Sequence, residues 1–203
     1  KKESGIETVY DTIEKLTDLK PDFISVTYGA GGSWVTNPIT KDICSKIKNE
    51  YKLETIAHLS CINNTKDEID KILEELKKEG IDNILALRGD RVEGLEPKKD
   101  FTYASDLTKY IMDKGGFHVS GACYPEVHME AKDAVDDIKN LKKKVDAGAD
   151  HLISQLFFDN RVFYDFLERA RIADINVPIE AGIMPVTSKS QIERMVTMCG
   201  ASI

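Results

Sequence analysis

Residues 83–90 read Asn83-Ile84-Leu85-Ala86-Leu87-Arg88-Gly89-Asp90. A short, near-continuous apolar run ending in charge describes a strand buried on both faces, with a polar tip, and not the alternating pattern of a half-solvated one. Upstream, Thr65 and Glu68 have the spacing of a capping box, Ile69, Ile72, Leu73 and Leu76 give the apolar face of the helix behind it, and Gly80 ends it. The same helix–strand alternation extends outward in both directions. Toward the N-terminus lie a strand at 54–60, a helix at about 37–50 with Ile39, Ile43 and Ile47 on one face, a strand at 23–28, and an amphipathic helix at about 5–19 built on Ile6, Val9, Ile13, Leu16 and Leu19. Toward the C-terminus, a polar loop at 91–101 leads to a helix near 103–113 and a strand at 119–124. Next come a helix at about 133–146 with Ala134, Ile138, Leu141 and Val145 inward, a strand at 151–158, a helix near 161–173, a strand at 179–186 and a helix after Ser188.

Six apolar strands alternating with seven helices imply a parallel sheet covered by helices. Two architectures compete, a doubly wound open sheet and a (β/α)8 TIM barrel. Polar clusters at almost every strand end favour the barrel, whose strand ends all converge on one mouth: Thr27-Tyr28, His58 with Ser60, Arg88 with Asp90, Glu126 with His128, and Gln155 with Asp159. In this register a first strand is expected before Lys1 and a last one after Ile203. The expectation is therefore a single, partial TIM-barrel domain over 1–203, belonging to a longer chain.

The 203 residues are 41% hydrophobic and 31% charged, the balance of an ordinary globular domain. A net charge of −7 argues against a general nucleic-acid binder, which needs clustered cations. No apolar run approaches membrane-spanning length. Cys44, Cys61, Cys123 and Cys199 are far apart, so they read as buried free thiols of a cytoplasmic protein. His58, His118, His128 and His151 show no metal-ligand spacing, and no metal is expected.

Several residues at the expected mouth can carry chemistry. Asp90 follows a strand end, where a carboxylate can act as a base, accept a heterocyclic N–H or tune a cofactor; taken alone, the stronger reading is a loop aspartate bonded to backbone N–H groups. The loop Gly29-Ala30-Gly31-Gly32-Ser33 allows close ligand approach but is no P-loop, because no Gly-Lys-Ser/Thr follows. Tyr124, Glu126, His128 and Glu130 crowd one strand end, and the helix behind them puts Asp137, Asn140 and Lys144 on one face. That stripe suits one wall of a groove for a polar chain and a phosphate, or a solvated helix edge. Gln155 reads as an amide inside an apolar strand, needing a partner. No strand-end lysine is placed for a Schiff base, which disfavours an aldolase-type barrel.

Eight strings in order resemble the 5,10-methylenetetrahydrofolate reductase family: 25–30 (Ser-Val-Thr-Tyr-Gly-Ala), 57–61 (Ala-His-Leu-Ser-Cys), 86–90 (Ala-Leu-Arg-Gly-Asp), 103–107 (Tyr-Ala-Ser-Asp-Leu), 124–128 (Tyr-Pro-Glu-Val-His), 144–149 (Lys-Val-Asp-Ala-Gly-Ala), 155–159 (Gln-Leu-Phe-Phe-Asp) and 182–186 (Gly-Ile-Met-Pro-Val). The resemblance implies an FAD-dependent barrel that reduces the methylene bridge of 5,10-methylenetetrahydrofolate to a 5-methyl group, within one-carbon metabolism leading to methionine. Electrons would come from NADH, NADPH or a reduced protein partner, and the protein would be a homo-oligomer. It further implies that Asp90 is catalytic, lying beside the flavin and the pterin, where its charge would favour the cationic iminium of the folate. Thr27, His58, Arg88, Gly89, Asp90, Tyr103, Ala104, Tyr124, His128, Asp137, Asn140, Lys143 and Lys144 match FAD-lining positions, and Asp90, Gln155 and Gln191 match substrate contacts. Lys143 stands where some relatives have Arg, exchanging a forked donor for a single ammonium. The family's general-acid glutamate belongs to a Phe-Glu-Phe-Phe-Pro-Pro string, which would precede Lys1, so this stretch alone is not expected to protonate the folate N10. Two other readings are a non-catalytic flavin- or folate-binding barrel serving as an electron-transfer subunit, and a flavin barrel of the proline-dehydrogenase type.

Overall fold

The computed structural model describes residues 3–27, 39–91 and 96–202. Its elements are α1 (Glu3–Thr17), β1 (Phe23–Val26), α2 (Ile39–Asn49), β2 (Glu54–Ser60), α3 (Lys66–Lys78), β3 (Asn83–Leu87), α4 (Ala104–Lys114), β4 (His118–Cys123), α5 (Ala134–Asp146), β5 (His151–Ser154), α6 (Asn160–Ile172), β6 (Ile179–Glu180) and α7 (Lys189–Cys199). Strand order follows chain order and every described pairing is parallel. A doubly wound sheet reverses its order at a switch point; this winding has no reversal, and the fold is α/β of the partial (β/α)8 barrel type. The chain divides into two compact units, Lys1–Tyr103 and Ala104–Ile203.

In the first unit, β1 and β2 pair with Ser25 opposite Ile56, and β2 and β3 pair with His58 opposite Leu85. Side chains alternate along a strand and paired residues share a face, so each strand shows one composition to the helices and another to the opposite side. The helix-facing set Thr55, Ala57, Leu59, Ile84 and Ala86 is buried, as are Ile43, Cys44 and Ile47 of α2, which packs on β1 and β2. The other face carries Ser25, His58 and Ser60. α3 starts with the expected reciprocal cap: the Glu68 N–H donates to Thr65 Oγ1 at 3.3 Å and the Thr65 N–H to Glu68 Oε2 at 2.7 Å. α1 departs from its pattern. Only Ile13 of its stripe is buried, Leu16 is exposed, and Leu19 lies beyond the helix in solvent.

In the second unit, the core is Cys123, Leu141, Leu152, Phe166, Ala170 and Ile175, with Ile138, Val145, Phe163 and Ile179 packed against it. It sits where α5 and α6 meet the Cys123/Leu152/Ile179 face of the strands. Their opposite face bears Ser120, His151 and Glu180, with His151 Nδ1 3.3 Å from Ser120 Oγ and Nε2 3.3 Å from Glu180 Oε1.

Three strands are shorter than the sequence suggests. β1 stops at Val26, β5 at Ser154, and β6 has only two residues. The β5–β6 ladder holds just Leu152 with Ile179 and Ile153 with Glu180, and among the described residues the apolar run 156–158 pairs with no strand. Phe157 is buried instead by stacking on Phe163, with ring centroids 4.7 Å apart.

All four cysteines are free. Cys44, Cys61 and Cys123 are buried as expected, whereas Cys199 is only partly covered because α7 buries none of its described side chains fully. Burial pushes the Cys44 thiol up to about 11 and the Cys123 thiol up to about 12. Among the described residues, no helix is long and apolar enough to cross a membrane, and no group of three or more His, Cys, Asp or Glu could hold a metal ion.

Candidate functional site

In the first unit the polar residues gather at the C-terminal ends of the strands. His58 shares with Ser25 the face of β1 and β2 opposite α2, and Ser25 Oγ lies 2.6 Å from His58 Nε2. Burial pushes this imidazole down to about 4. His58 is therefore neutral at physiological pH, and the unfolded imidazole, titrating near 6.5, binds a proton that the folded one refuses. Stability is fully present above that range and falls as pH drops from about 6.5 toward about 4. A His58→Gln variant, which keeps an amide near Ser25, is expected to lose less stability than the parent between pH 7.5 and pH 5. Urea midpoints at the two pH values check this; equal losses would remove His58 as the cause.

The Arg88-Gly89-Asp90 turn after β3 is clamped from beneath. The Ile62 N–H donates to the Arg88 carbonyl at 2.8 Å, the Cys61 N–H at 3.2 Å and the Cys61 thiol at 3.7 Å; the thiol is also 3.6 Å from the Tyr103 carbonyl. Gly89 has φ +87, and a Cβ there would lie 2.9 Å from Ser60 Cβ, so both its conformation and the space require glycine. The turn leaves the Asp90 side chain exposed and the Arg88 Nε donating to the Gly89 carbonyl at 3.3 Å. Thr27 is exposed just past β1, its carbonyl taking a 3.3 Å bond from Thr40 Oγ1, and the Tyr103 ring is 61% exposed. The loop 29–33 lies outside the described residues.

In the second unit, β4 runs into Tyr124-Pro125-Glu126-Val127-His128. Tyr124 and His128 meet edge to face, with centroids 4.6 Å apart. The Glu130 N–H donates to His128 Nδ1 at 3.1 Å, which puts the neutral ring's proton on Nε2. α5, N-capped by Asp133, brings Asp137 to this loop: its carboxylate accepts the His128 backbone N–H and feels the charges of Lys144, His128 and Arg169. Desolvation is the larger influence and raises the Asp137 pKa. Lys144 Nζ donates to the Ala122 carbonyl at 2.6 Å and stands 5.6 Å from the Tyr124 ring centroid. Its stem passes Gly121, where a Cβ would lie 3.7 Å from Lys144 Cδ and 3.1 Å from Leu152 Cδ2. Lys143 is exposed and donates to Asn140 Oδ1 at 2.8 Å, while the Asn140 amide reaches Asp136 at 3.3 Å. Tyr124, His128, Asp137 and Lys144 thus form one cluster, with Asn140 and Lys143 joined next to it on the same helix.

The other expected residues, Ala104, Gln155 and Gln191, bond to near neighbours in the chain. Ala104 is buried at the start of α4, where its carbonyl accepts from Thr108 Oγ1. Gln155 is one residue past β5, not inside it as the sequence suggested, and its N–H donates to the Cys123 carbonyl at 2.7 Å. Its amide oxygen accepts the Leu156 N–H at 2.9 Å, so local backbone satisfies it. Gln191, in the first turn of α7, accepts from the Thr187 hydroxyl, and its N–H meets the cap Ser188 Oγ at 3.3 Å. Sequence reasoning missed Ser25, Cys61 and Arg169. Strand alternation could have found Ser25, which shares a face with His58; Arg169 has no local signal.

The family model described as methylenetetrahydrofolate reductase matches residues 1–203. The chain is 42% identical to the 5,10-methylenetetrahydrofolate reductase of Escherichia coli (strain K12) and 40% identical to that of Pectobacterium carotovorum subsp. carotovorum, in each case over 97% of its own length and 65% of the relative's. It is 38% identical to an Arabidopsis thaliana protein named methylenetetrahydrofolate reductase (NADH) 1, covering all of this chain and 36% of that one. The chain therefore spans about two thirds of the bacterial relatives and about a third of the plant one. Among solved structures it resembles 2,3-dimethylmalate lyase, a PEP mutase/isocitrate lyase superfamily member, with a TM-score of 0.58 at 10% identity, covering 90% of this chain and 67% of that one. That likeness concerns the fold alone.

Proposed function

Because the chain belongs to the methylenetetrahydrofolate reductase family, we propose that the protein binds FAD and reduces the methylene bridge of 5,10-methylenetetrahydrofolate to a 5-methyl group, as a cytoplasmic enzyme of one-carbon metabolism. The family match over residues 1–203 carries this reading. The donor sets of both units support it. The glycine at 89, required by its φ and by Ser60 packed against it, holds the turn that leaves the Asp90 carboxylate exposed for a ring system. A half-buried carboxylate beside an amide and two ammonium groups on α5 suits a hydroxylated chain and a pyrophosphate.

In this reading Arg88, Gly89 and Asp90 hold the ring system, with Thr27, His58 and Tyr103 lining it in the same unit. In the other, Asp137 and Asn140 accept and donate to hydroxyls, Lys143 and Lys144 neutralise the pyrophosphate, and Ala104, Tyr124 and His128 line the cofactor. Bound FAD would supply the hydride. Asp90 places a negative charge where the folate becomes cationic, stabilising that charge without moving a proton. His58, held neutral by burial, offers a hydrogen-bonding ring without adding a second positive charge. Gln155 and Gln191 orient the substrate through their amides. NADH is the first electron donor to test, since the Arabidopsis relative is named for it.

The test is the visible spectrum of the purified full-length protein, followed by turnover of methylenetetrahydrofolate with NADH and with NADPH. Flavin absorption and turnover are expected. A colourless protein that takes up no added FAD would overturn the reading. Bound FAD without turnover on either nucleotide would point to an electron-transfer subunit.

A further inference from the structure

Arg169 leaves α6 beside two core residues. Phe166, one turn earlier, is 1% exposed, as is Ala170 directly after it. The side chain therefore starts against the core and runs out along it, its guanidinium 6.0 Å from the Phe166 ring centroid. It ends on a backbone atom 44 residues away, Nη2 donating to the Pro125 carbonyl at 2.8 Å.

That carbonyl belongs to an unusual turn. Pro125 is buried and has no N–H to anchor it. The Tyr124 carbonyl accepts the Val127 N–H at 3.2 Å, closing a tight bend. Val127 completes the bend with φ +75, a left-handed conformation that a β-branched residue avoids. Such a residue persists only where its surroundings over-determine it. The bend in turn sets His128, whose N–H binds the Asp137 carboxylate and whose ring meets Tyr124. The same guanidinium acts electrostatically on Asp137, favouring its charged form against the burial that disfavours it.

We propose that Arg169 is a positioning residue, which holds the strained Tyr124–His128 bend through the Pro125 carbonyl and so presents His128 and Asp137 to the bound ligand. Its role toward a flavin rests on the function proposed above; its role toward the bend does not. Helix anchoring alone would not need this reach, because Phe166 and Ala170 already bury α6 in the core. A lysine at 169 could still donate one bond to the carbonyl, but without the fixed fork of a guanidinium.

The test compares full-length wild type with Arg169→Met and Arg169→Lys, using two readouts. The first is amide hydrogen exchange at Val127 and His128 without flavin. The second is the FAD dissociation constant. Arg169→Met is expected to speed exchange at both amides and to weaken FAD binding, each by about tenfold, the factor commonly lost with one charge-assisted hydrogen bond. Amides in β4 and α5 should be unchanged, which a general loss of stability would not allow. Arg169→Lys, which keeps the stem on Phe166, should recover part of both effects, and it substitutes for the Met variant should that fail to fold. Wild-type exchange at Val127 and His128 in both variants overturns the proposal. Faster exchange in the variants, with a wild type that itself binds no FAD, would uphold the positioning role and sink the flavin reading instead.

Discussion

Full-length protein carrying Asp90→Asn is expected to keep its FAD and to lose folate turnover by about 10²-fold or more, the usual cost of removing one preorganised electrostatic partner. The substitution preserves shape and exchanges a charged acceptor for a neutral amide. Among the described residues, the Asp90 carboxylate makes no hydrogen bond or ion pair. Asp90 is exposed, and the turn carrying it is held through the Arg88 carbonyl by Cys61 and Ile62 and by the glycine at 89. The protein should therefore fold, and the isosteric amide keeps a hydrogen-bonding group beside the ring system, so FAD is retained. Separate rates for flavin reduction by the nucleotide and flavin reoxidation by the folate would locate the loss, which belongs to the folate step if the carboxylate stabilises positive charge there. Unchanged turnover would remove Asp90 from that role.

Gly182→Ala should have the largest effect on stability, for a reason unrelated to chemistry. A Cβ at 182 would lie 2.2 Å from the Ser154 carbonyl oxygen and 3.2 Å from its carbon. Both are backbone atoms at the end of β5, so no rotamer change relieves the clash. Meanwhile the Gly182 N–H donates to Ser154 Oγ at 2.9 Å, extending the link between β5 and the chain after β6 beyond its two ladder pairs. Separating the backbones breaks that link, and a loss of about 3 kcal/mol is expected, at the upper end for overpacking. Gly80→Ala is the control. It has φ +72 but nothing within 4 Å of its added methyl, so only the conformational cost of about 1 kcal/mol applies. Urea unfolding of the two variants should separate them; equal losses would mean that the 154–182 contact does not limit stability.

The parts of this structure legible in the sequence are those fixed by local periodicity. Thr65 and Glu68 sit three residues apart and make both bonds of their box, and the spacing of Asp137, Asn140 and Lys144 puts them on one side of α5 whatever it packs against. The strand ends were less legible. Gln155, Leu156, Phe157 and Phe158 have strand-like composition, but a strand also needs a neighbour, and β6 offers two residues. Past those two residues the Gly182 N–H bonds the Ser154 hydroxyl instead of a ladder carbonyl, a pairing across 28 residues that no short window of sequence contains. Arg169 was invisible for the same reason: its one decisive bond spans 44 residues, and within α6 it looks like any helix-edge cation. Val127 gave no warning either, since nothing in Pro-Glu-Val-His marks the valine as left-handed.

The three buried thiols have a practical consequence. Only a thiolate is alkylated at a useful rate, and burial both shields these sulfurs and, at Cys44 and Cys123, keeps the proton on. Cys44 and Cys61 lie in one unit and Cys123 in the other. The molecule thus contains its own opening clock for each half, with the partly covered Cys199 as the fast hand against which the slow ones are timed.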